Sequence, residues 1–183
     1  MLLNDNIMKK VLLVILLLVT TFMVIRGQIG DYYDIAKNNM YHYEPPRRDY
    51  VIVIDYRKNL LENRLYVIDM KTGENVIVSR VSHAFKSGIM YPTFYSNKNG
   101  SNMSSKGNFI TRGSTISPKY GYAMIIDGID KGINTNAKNR AIIFHSDKNM
   151  STKWSRGCFA TPEVTNKKII DLTKNGCLVI VLT

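Results

Sequence analysis

The sequence predicts a mainly β domain of the sandwich or barrel kind, and three observations carry that prediction. Seven short runs rich in β-branched and aromatic residues fill roughly the last 130 positions, separated by polar turns and loops. Beyond residue 48 only one segment has a helical pattern. The length of 183 residues holds one domain plus a short leader, and 45% apolar against 21% charged residues is enough to bury a core.

The chain opens on Lys9-Lys10 followed by an uncharged apolar run over 11–25, the layout of an export signal's basic and apolar regions. The run is shorter than the ~20 residues of a full span, although Arg26 can snorkel, and no A-x-A-like cleavage site follows. Residues 1–28 are therefore read as a signal peptide or a membrane anchor. A buried core helix is disfavoured, because such a run has no polar face to turn to water. Residues 29–48 are polar with scattered tyrosines and end at Pro45-Pro46, a spacer with helical potential. Residues 49–183 form the folded domain.

Within that domain the predicted strands are 50–56, 64–70, 75–82, 107–113, 122–127, 140–145 and 177–183. The first three read as successive antiparallel strands, with Lys71-Thr72-Gly73-Glu74 as one of their turns. The stretch 85–106, rich in Ser, Asn, Gly and Lys, reads as a surface loop long enough to be functional. The late helix is capped by Thr161, has Pro162 in its first turn, places Ile169 and Leu172 on one face, and ends by Gly176.

A formal charge of +11 favours an anionic partner such as acidic lipid, wall polymer or nucleic acid. No run of Lys and Arg exceeds two residues and no basic recognition helix is visible, so nucleic acid is not the expected partner. Two cysteines, Cys158 and Cys177, are compatible with an oxidising compartment but are too few for a disulfide scaffold.

The chemistry concentrates in the segment AIIFHSDKNMSTKWSRGCFATPE. A thiol attacks a carbonyl only as thiolate, so a catalytic cysteine needs a base, oxyanion donors and access. His145 ends a predicted strand, and a polar loop leads from it to Cys158. Gly157 removes a side chain where backbone must approach a substrate, and the Gly157 and Cys158 amides are candidate oxyanion donors. Ser155 and Arg156 add polar groups beside the thiol. The competing reading makes His145 a satisfied core histidine and Cys158 a small buried residue. The polar texture of S-R-G-C opposes it for Cys158, whereas Cys177 sits among apolar strand residues.

S-R-G-C at 155–158, with His145-Ser146 upstream, resembles the signature of L,D-transpeptidase catalytic (YkuD-like) domains. The blocks VIDYRKNLLENRLYVIDM, VSHAFKSG, FYSNKNGSNMSSKGNFIT and GYAMIIDGIDKGINTNAKNRAIIFH resemble the murein branch of that family, in order, over 50–162. The resemblance implies that 49–183 is a catalytic domain whose Cys158 attacks peptidoglycan stem tetrapeptides at the third-position diamino acid. D-alanine leaves, and an amine of a neighbouring stem takes the acyl group to form a cross-link. Water as acceptor gives a carboxypeptidase, and a free D-amino acid gives exchange. His145 is the implied base, oriented by the Ser146 backbone carbonyl, and no cofactor or metal is required. The layout of residues 1–28 predicts export, to the periplasm or cell envelope, with anchoring to the inner membrane if the segment is retained.

Three departures stand out: Arg156 where many relatives have His, Ala160 where relatives often have Arg, and Ala84 where the V-x-H-G-like block has Gly. Arg156 is a candidate for lowering the thiol pKa or binding a substrate carboxylate, against a solvated loop charge. His83 matches a family histidine and is a candidate for shaping the cleft. Ser96, Asn97, Ser104 and Ser105 match the family's loop, where substrate contact and scaffolding both explain them. A zinc site of His83, His145 and Cys158 lacks metal-binding spacing. A Cys158–Cys177 disulfide is the rival that abolishes the nucleophile, and Asp127, Asp130 and Asp147 read as solvated. A second function class remains, a wall-binding module that kept the fold without turnover.

Overall fold

The structure, a computed structural model, describes residues 5–147 and 154–183, and side chains in the first helix at 7–20 and from 32 onward. Helix α1 spans Asp5–Tyr43, and its end coincides with the Pro45-Pro46 stop. The predicted leader therefore lies partly outside the described residues. Every side chain from Val11 to Val19 is a large exposed apolar group. Among the described residues, no helix is long and apolar enough to cross a membrane.

The domain is one eight-stranded sheet: β1 (Tyr50–Asp55), β2 (Leu65–Asp69), β3 (Asn75–Ser79), β4 (Gly107–Ser117), β5 (Gly121–Gly128), β6 (Ile143–Asp147), β7 (Phe159–Pro162) and β8 (Leu178–Leu182). Their spatial order is β3-β2-β1-β8-β4-β5-β6-β7. The β1-β2-β3 meander is antiparallel as expected, while β1/β8 and β6/β7 are parallel. The two ends of the sheet nearly meet, because chain leaving β3 bonds to β7 and the turn before it. Ser82 N–H donates to the Ala160 carbonyl (2.8 Å), Ser155 N–H donates to the His83 carbonyl (3.0 Å), and Ala84 bridges Ser155. This seam makes the sheet barrel-like.

Alternation sorts the strands into two cores. Ile52 and Ile54 of β1 point inward with Val67, Phe109, Phe144, Phe159 and Val179, and helix α2 (Glu163–Thr173) packs there through Ile169 and Ile170. Val51 and Val53 point outward with Tyr66, Ile68, Ile110 and Ile180, under the last turns of α1. Both faces of β1 are thus covered, which is why its sequence is continuously apolar rather than alternating.

The residues read as a spacer are tied to the sheet. Tyr32 stacks on Tyr66 (4.5 Å between centroids) and donates to Asp55 (2.7 Å), and Tyr43 donates to Asp130 (2.7 Å). Asp130 is therefore not a solvated loop acid. It also accepts from Asn108 N–H (2.8 Å). Asp127 likewise accepts from Arg112 (2.7 Å).

Among the differences from the sequence reading, three bear on the site. β7 is an eighth strand. β6 starts at Ile143 rather than 140, because Ala141 has a left-handed φ of 53° that breaks the extended run. α2 starts after Pro162, and Thr161, expected as its cap, instead donates from its hydroxyl to the Asn166 amide oxygen (3.1 Å).

Candidate active site

The β6/β7 pair builds the site. Parallel register sets His145 beside Ala160, and on its other side β5 offers Ala123. Cys158 lies two residues before Ala160, alongside Ile143. Cys158 itself lies in the bend just before β7, and strand alternation continued back by that one residue puts it on the His145 side of the pair. Both cysteines are free thiols.

His145 is almost fully buried, with Nδ1 at 2.9 Å from the Ser146 carbonyl oxygen. A carbonyl only accepts, so Nδ1 carries the proton and Nε2 holds a free lone pair. Burial lowers the imidazole pKa, outweighing the Ser146 carbonyl and Asp147, which favour the cation. Tyr120, in the turn between β4 and β5, stacks on the ring at 3.7 Å, and Lys119 lies 5.0 Å over the Tyr120 ring. Neither residue was picked out from the sequence, because only the β5/β6 register brings that turn over His145.

Cys158 is half-buried. Burial raises its thiol pKa, while the Ile143 backbone and the charges of Arg140 and Lys119 pull it down. Both shifts favour the neutral thiol and the neutral imidazole over an ion pair. The thiol donates to the Ala141 carbonyl (3.5 Å), and no hydrogen bond among the described residues joins it to His145.

The turn before the thiol admits only glycine. Gly157 has φ +128°, and a Cβ there would lie 2.8 Å from Ile142 Cδ1 and 2.9 Å from the Met103 carbonyl oxygen. Its N–H, expected as an oxyanion donor, donates to Ser155 Oγ (3.1 Å) in this state. Arg156 is exposed on the turn.

The other predicted residues form the wall behind the turn. His83 is fully buried, its Nδ1 accepting from Arg64 Nη2 (2.8 Å) and its Nε2 donating to the Gly88 carbonyl (2.9 Å). Burial first, and the Arg64 charge second, drive its pKa down to about 4. Ser104 and Ser105 are also fully buried: Ser104 Oγ accepts from Ala84 N–H (2.8 Å) and Ser105 Oγ from Arg140 (2.6 Å). Ser96 N–H donates to the Ser104 carbonyl (3.1 Å), and Asn97 Oδ1 accepts from Asn136 N–H (3.0 Å). These side chains and amides hold the loop together. Among the described residues no group of three His, Cys, Asp or Glu side chains is placed to hold a metal ion.

The family model for the L,D-transpeptidase catalytic domain matches residues 24–182. No curated protein matches the sequence. Among solved structures, the chain is similar to an L,D-transpeptidase from Mycobacterium smegmatis (12% identity, TM-score 0.46, 74% of this chain and 59% of that one). It is also similar to an L,D-transpeptidase from Mycobacterium tuberculosis (14%, 0.47, 76% and 58%). A third likeness is to a lysine-to-alanine mutant of the helical cell shape determining protein Pgp2 from Campylobacter jejuni (11%, 0.50, 75% and 48%). The chain spans about half to three fifths of the length of these structures. With a family match that runs from the end of the apolar segment to the last strand, the chain belongs to the L,D-transpeptidase catalytic domain family.

Proposed function

We propose that this chain is an exported cysteine acyltransferase that cross-links peptidoglycan stem tetrapeptides. The observation that carries the reading is the His145–Ser146 bond, which leaves Nε2 basic on the face that also presents Cys158. As substrate enters, the thiol leaves the Ala141 carbonyl and passes its proton to His145 Nε2. The sulfur adds to the carbonyl of the third-position residue, and the Cys158 amide receives the oxyanion, joined by the Gly157 amide once Ser155 Oγ turns away. The intermediate collapses, D-alanine leaves as the amine with the proton from His145, and a thioester remains. An acceptor amine then loses a proton to His145, attacks the thioester and regenerates the thiol.

Placement at the envelope is part of the same proposal. The exposed apolar surface of residues 11–19 behind Lys9-Lys10 supports insertion of the N-terminal segment into a lipid bilayer, either as a signal before cleavage or as a retained anchor.

Purified full-length chain in detergent, incubated with tetrapeptide muropeptides and followed by mass spectrometry, tests this. Wild type should release D-alanine and give cross-linked dimers, and Cys158→Ala should give neither. Tripeptide without dimer points to carboxypeptidase action, and exchanged tetrapeptide to D-amino-acid transfer. No reaction together with no carbapenem adduct on Cys158 would leave a wall-binding module as the function, favoured in that case by Ala84 and Arg156 at family positions.

A further inference from the structure

We infer that Arg140 is a positioning residue for the nucleophile, clamping the 96–105 loop against the Gly157 turn and holding an uncompensated positive charge beside the Cys158 sulfur. This rests on the reading of Cys158 as nucleophile. Both terminal nitrogens of the guanidinium are committed to neutral acceptors. Nη1 donates to the Ser96 carbonyl and to Ser105 Oγ (2.6 Å), and Nη2 donates to the Met103 carbonyl (2.6 Å) and to Ser101 Oγ (3.2 Å). Among the described residues no carboxylate pairs with it.

The same nitrogen faces the catalytic turn. Nη2 lies 3.4 Å from the position of a Cβ on Gly157, and the Met103 carbonyl it grips lies 2.9 Å from that position. The next residue, Ala141, supplies the carbonyl that the thiol meets. Arg140 therefore touches the turn that carries the sulfur, the loop that walls it and the residue the thiol bonds to. A lysine has no planar fork to bridge four acceptors on one loop, so the geometry calls for arginine in particular. Burial lowers the Arg140 pKa and the thiol's own charge raises it, in line with a cation that faces the sulfur.

The test reads the thiol directly, in the full-length chain in detergent. Iodoacetamide alkylation of Cys158 is followed across pH by peptide mass spectrometry, beside D-alanine release from muropeptides. Arg140→Gln should move the alkylation midpoint up by about one pH unit, slowing modification about tenfold at a fixed pH below it. Ser101→Ala, which removes a hydrogen bond and no charge, should leave the midpoint in place. Ser101→Asp, which sets a carboxylate on Nη2, should raise it and keeps the test decisive if the glutamine variant does not fold.

An unmoved midpoint in folded Arg140→Gln or in Ser101→Asp, or an equal rise in Ser101→Ala, would overturn the inference. If wild type releases no D-alanine while the midpoint shifts as expected, the functional reading fails and the placement of Arg140 stands. Active wild type with unmoved midpoints gives the reverse.

Discussion

Acidification should destabilise this domain through one buried histidine. Arg64 can only donate, so the His83 Nδ1 it meets at 2.8 Å must accept, and the proton must sit on Nε2 facing the Gly88 carbonyl. Protonating Nδ1 breaks the Arg64 bond and sets two cations together inside the protein. The folded pKa is accordingly about 4, against 6.5 for an ordinary histidine. The folded value is the lower one, so the unfolded chain binds more protons between these pH values and stability falls as pH falls through that window. The difference corresponds to about 3 kcal/mol lost between pH 7 and pH 4, a large share of the typical ~5–15 kcal/mol of a domain. Urea unfolding across this range, followed by the fluorescence of the single tryptophan, Trp154, measures it. His83→Gln keeps an amide that can donate to Gly88 but cannot titrate. It should cost ~1–3 kcal/mol at pH 7 by leaving an Arg64 donor unpaired, and should then lose about 3 kcal/mol less than wild type on acidification. His145 shifts in the same direction but is common to both proteins, so the difference curve isolates His83. Parallel stability–pH curves for the two proteins would refute the tautomer and the charge argument together.

Three further outcomes follow from the same geometry. Gly157→Ala meets both a positive φ and the Met103 backbone oxygen, and should slow carbapenem acylation of Cys158 on the order of 100-fold by displacing the turn. Tyr120→Ala opens His145 to water, so its pKa should climb back toward the ordinary value. The acidic limb of the pH–rate profile, where loss of neutral His145 stops acylation, should then move to higher pH. Tyr43→Phe removes a donor from the Asp130 carboxylate and should cost ~1.5–3 kcal/mol in chemical denaturation, with no change in Cys158 alkylation.

What the sequence shows depends on whether a signal is local. The β1–β3 meander was legible because its runs are β-branched and its turn is written in residues: Asp69 Oδ1 accepts from Lys71 N–H (2.8 Å), and Gly73 takes φ +78°. β7 left no trace, since F-A-T-P is four residues long, ends in proline and lacks a β-branched run. The far half of β4, Ser114–Ser117, follows a register shift after Thr111 and projects largely into solvent, so its sequence is too polar to read as strand. The motif singled out Cys158 and His145 as candidates because both lie in one short segment of the sequence. Arg140, Tyr120 and Arg64 gave no such signal, because each makes its contact only when segments 19 to 35 residues apart are brought together.

The seam between the ends of the sheet explains why the family blocks far upstream of the thiol belong with it. Cys158 precedes a four-residue edge strand that β6 alone would hold on one side. The other side is held by chain leaving β3: Ser82 N–H and Oγ on the two polar groups of the Ala160 backbone, and the His83 carbonyl on Ser155 N–H. That chain is in turn fixed from behind by Arg64, which donates to the Val81 carbonyl (2.7 Å) and to His83. A buried cation with carbonyl partners is costly to assemble and costly to break, so it commits the segment to one conformation. The VSHAFKSG block therefore bears on the Cys158 turn through backbone geometry rather than by touching the thiol. Ala84 in place of glycine fits this role, since its φ of −73° is open to any residue and its N–H is held by Ser104 Oγ. The departure at Ala84 leaves the seam intact, and among the departures near the thiol the one that changes charge on the exposed side is Arg156.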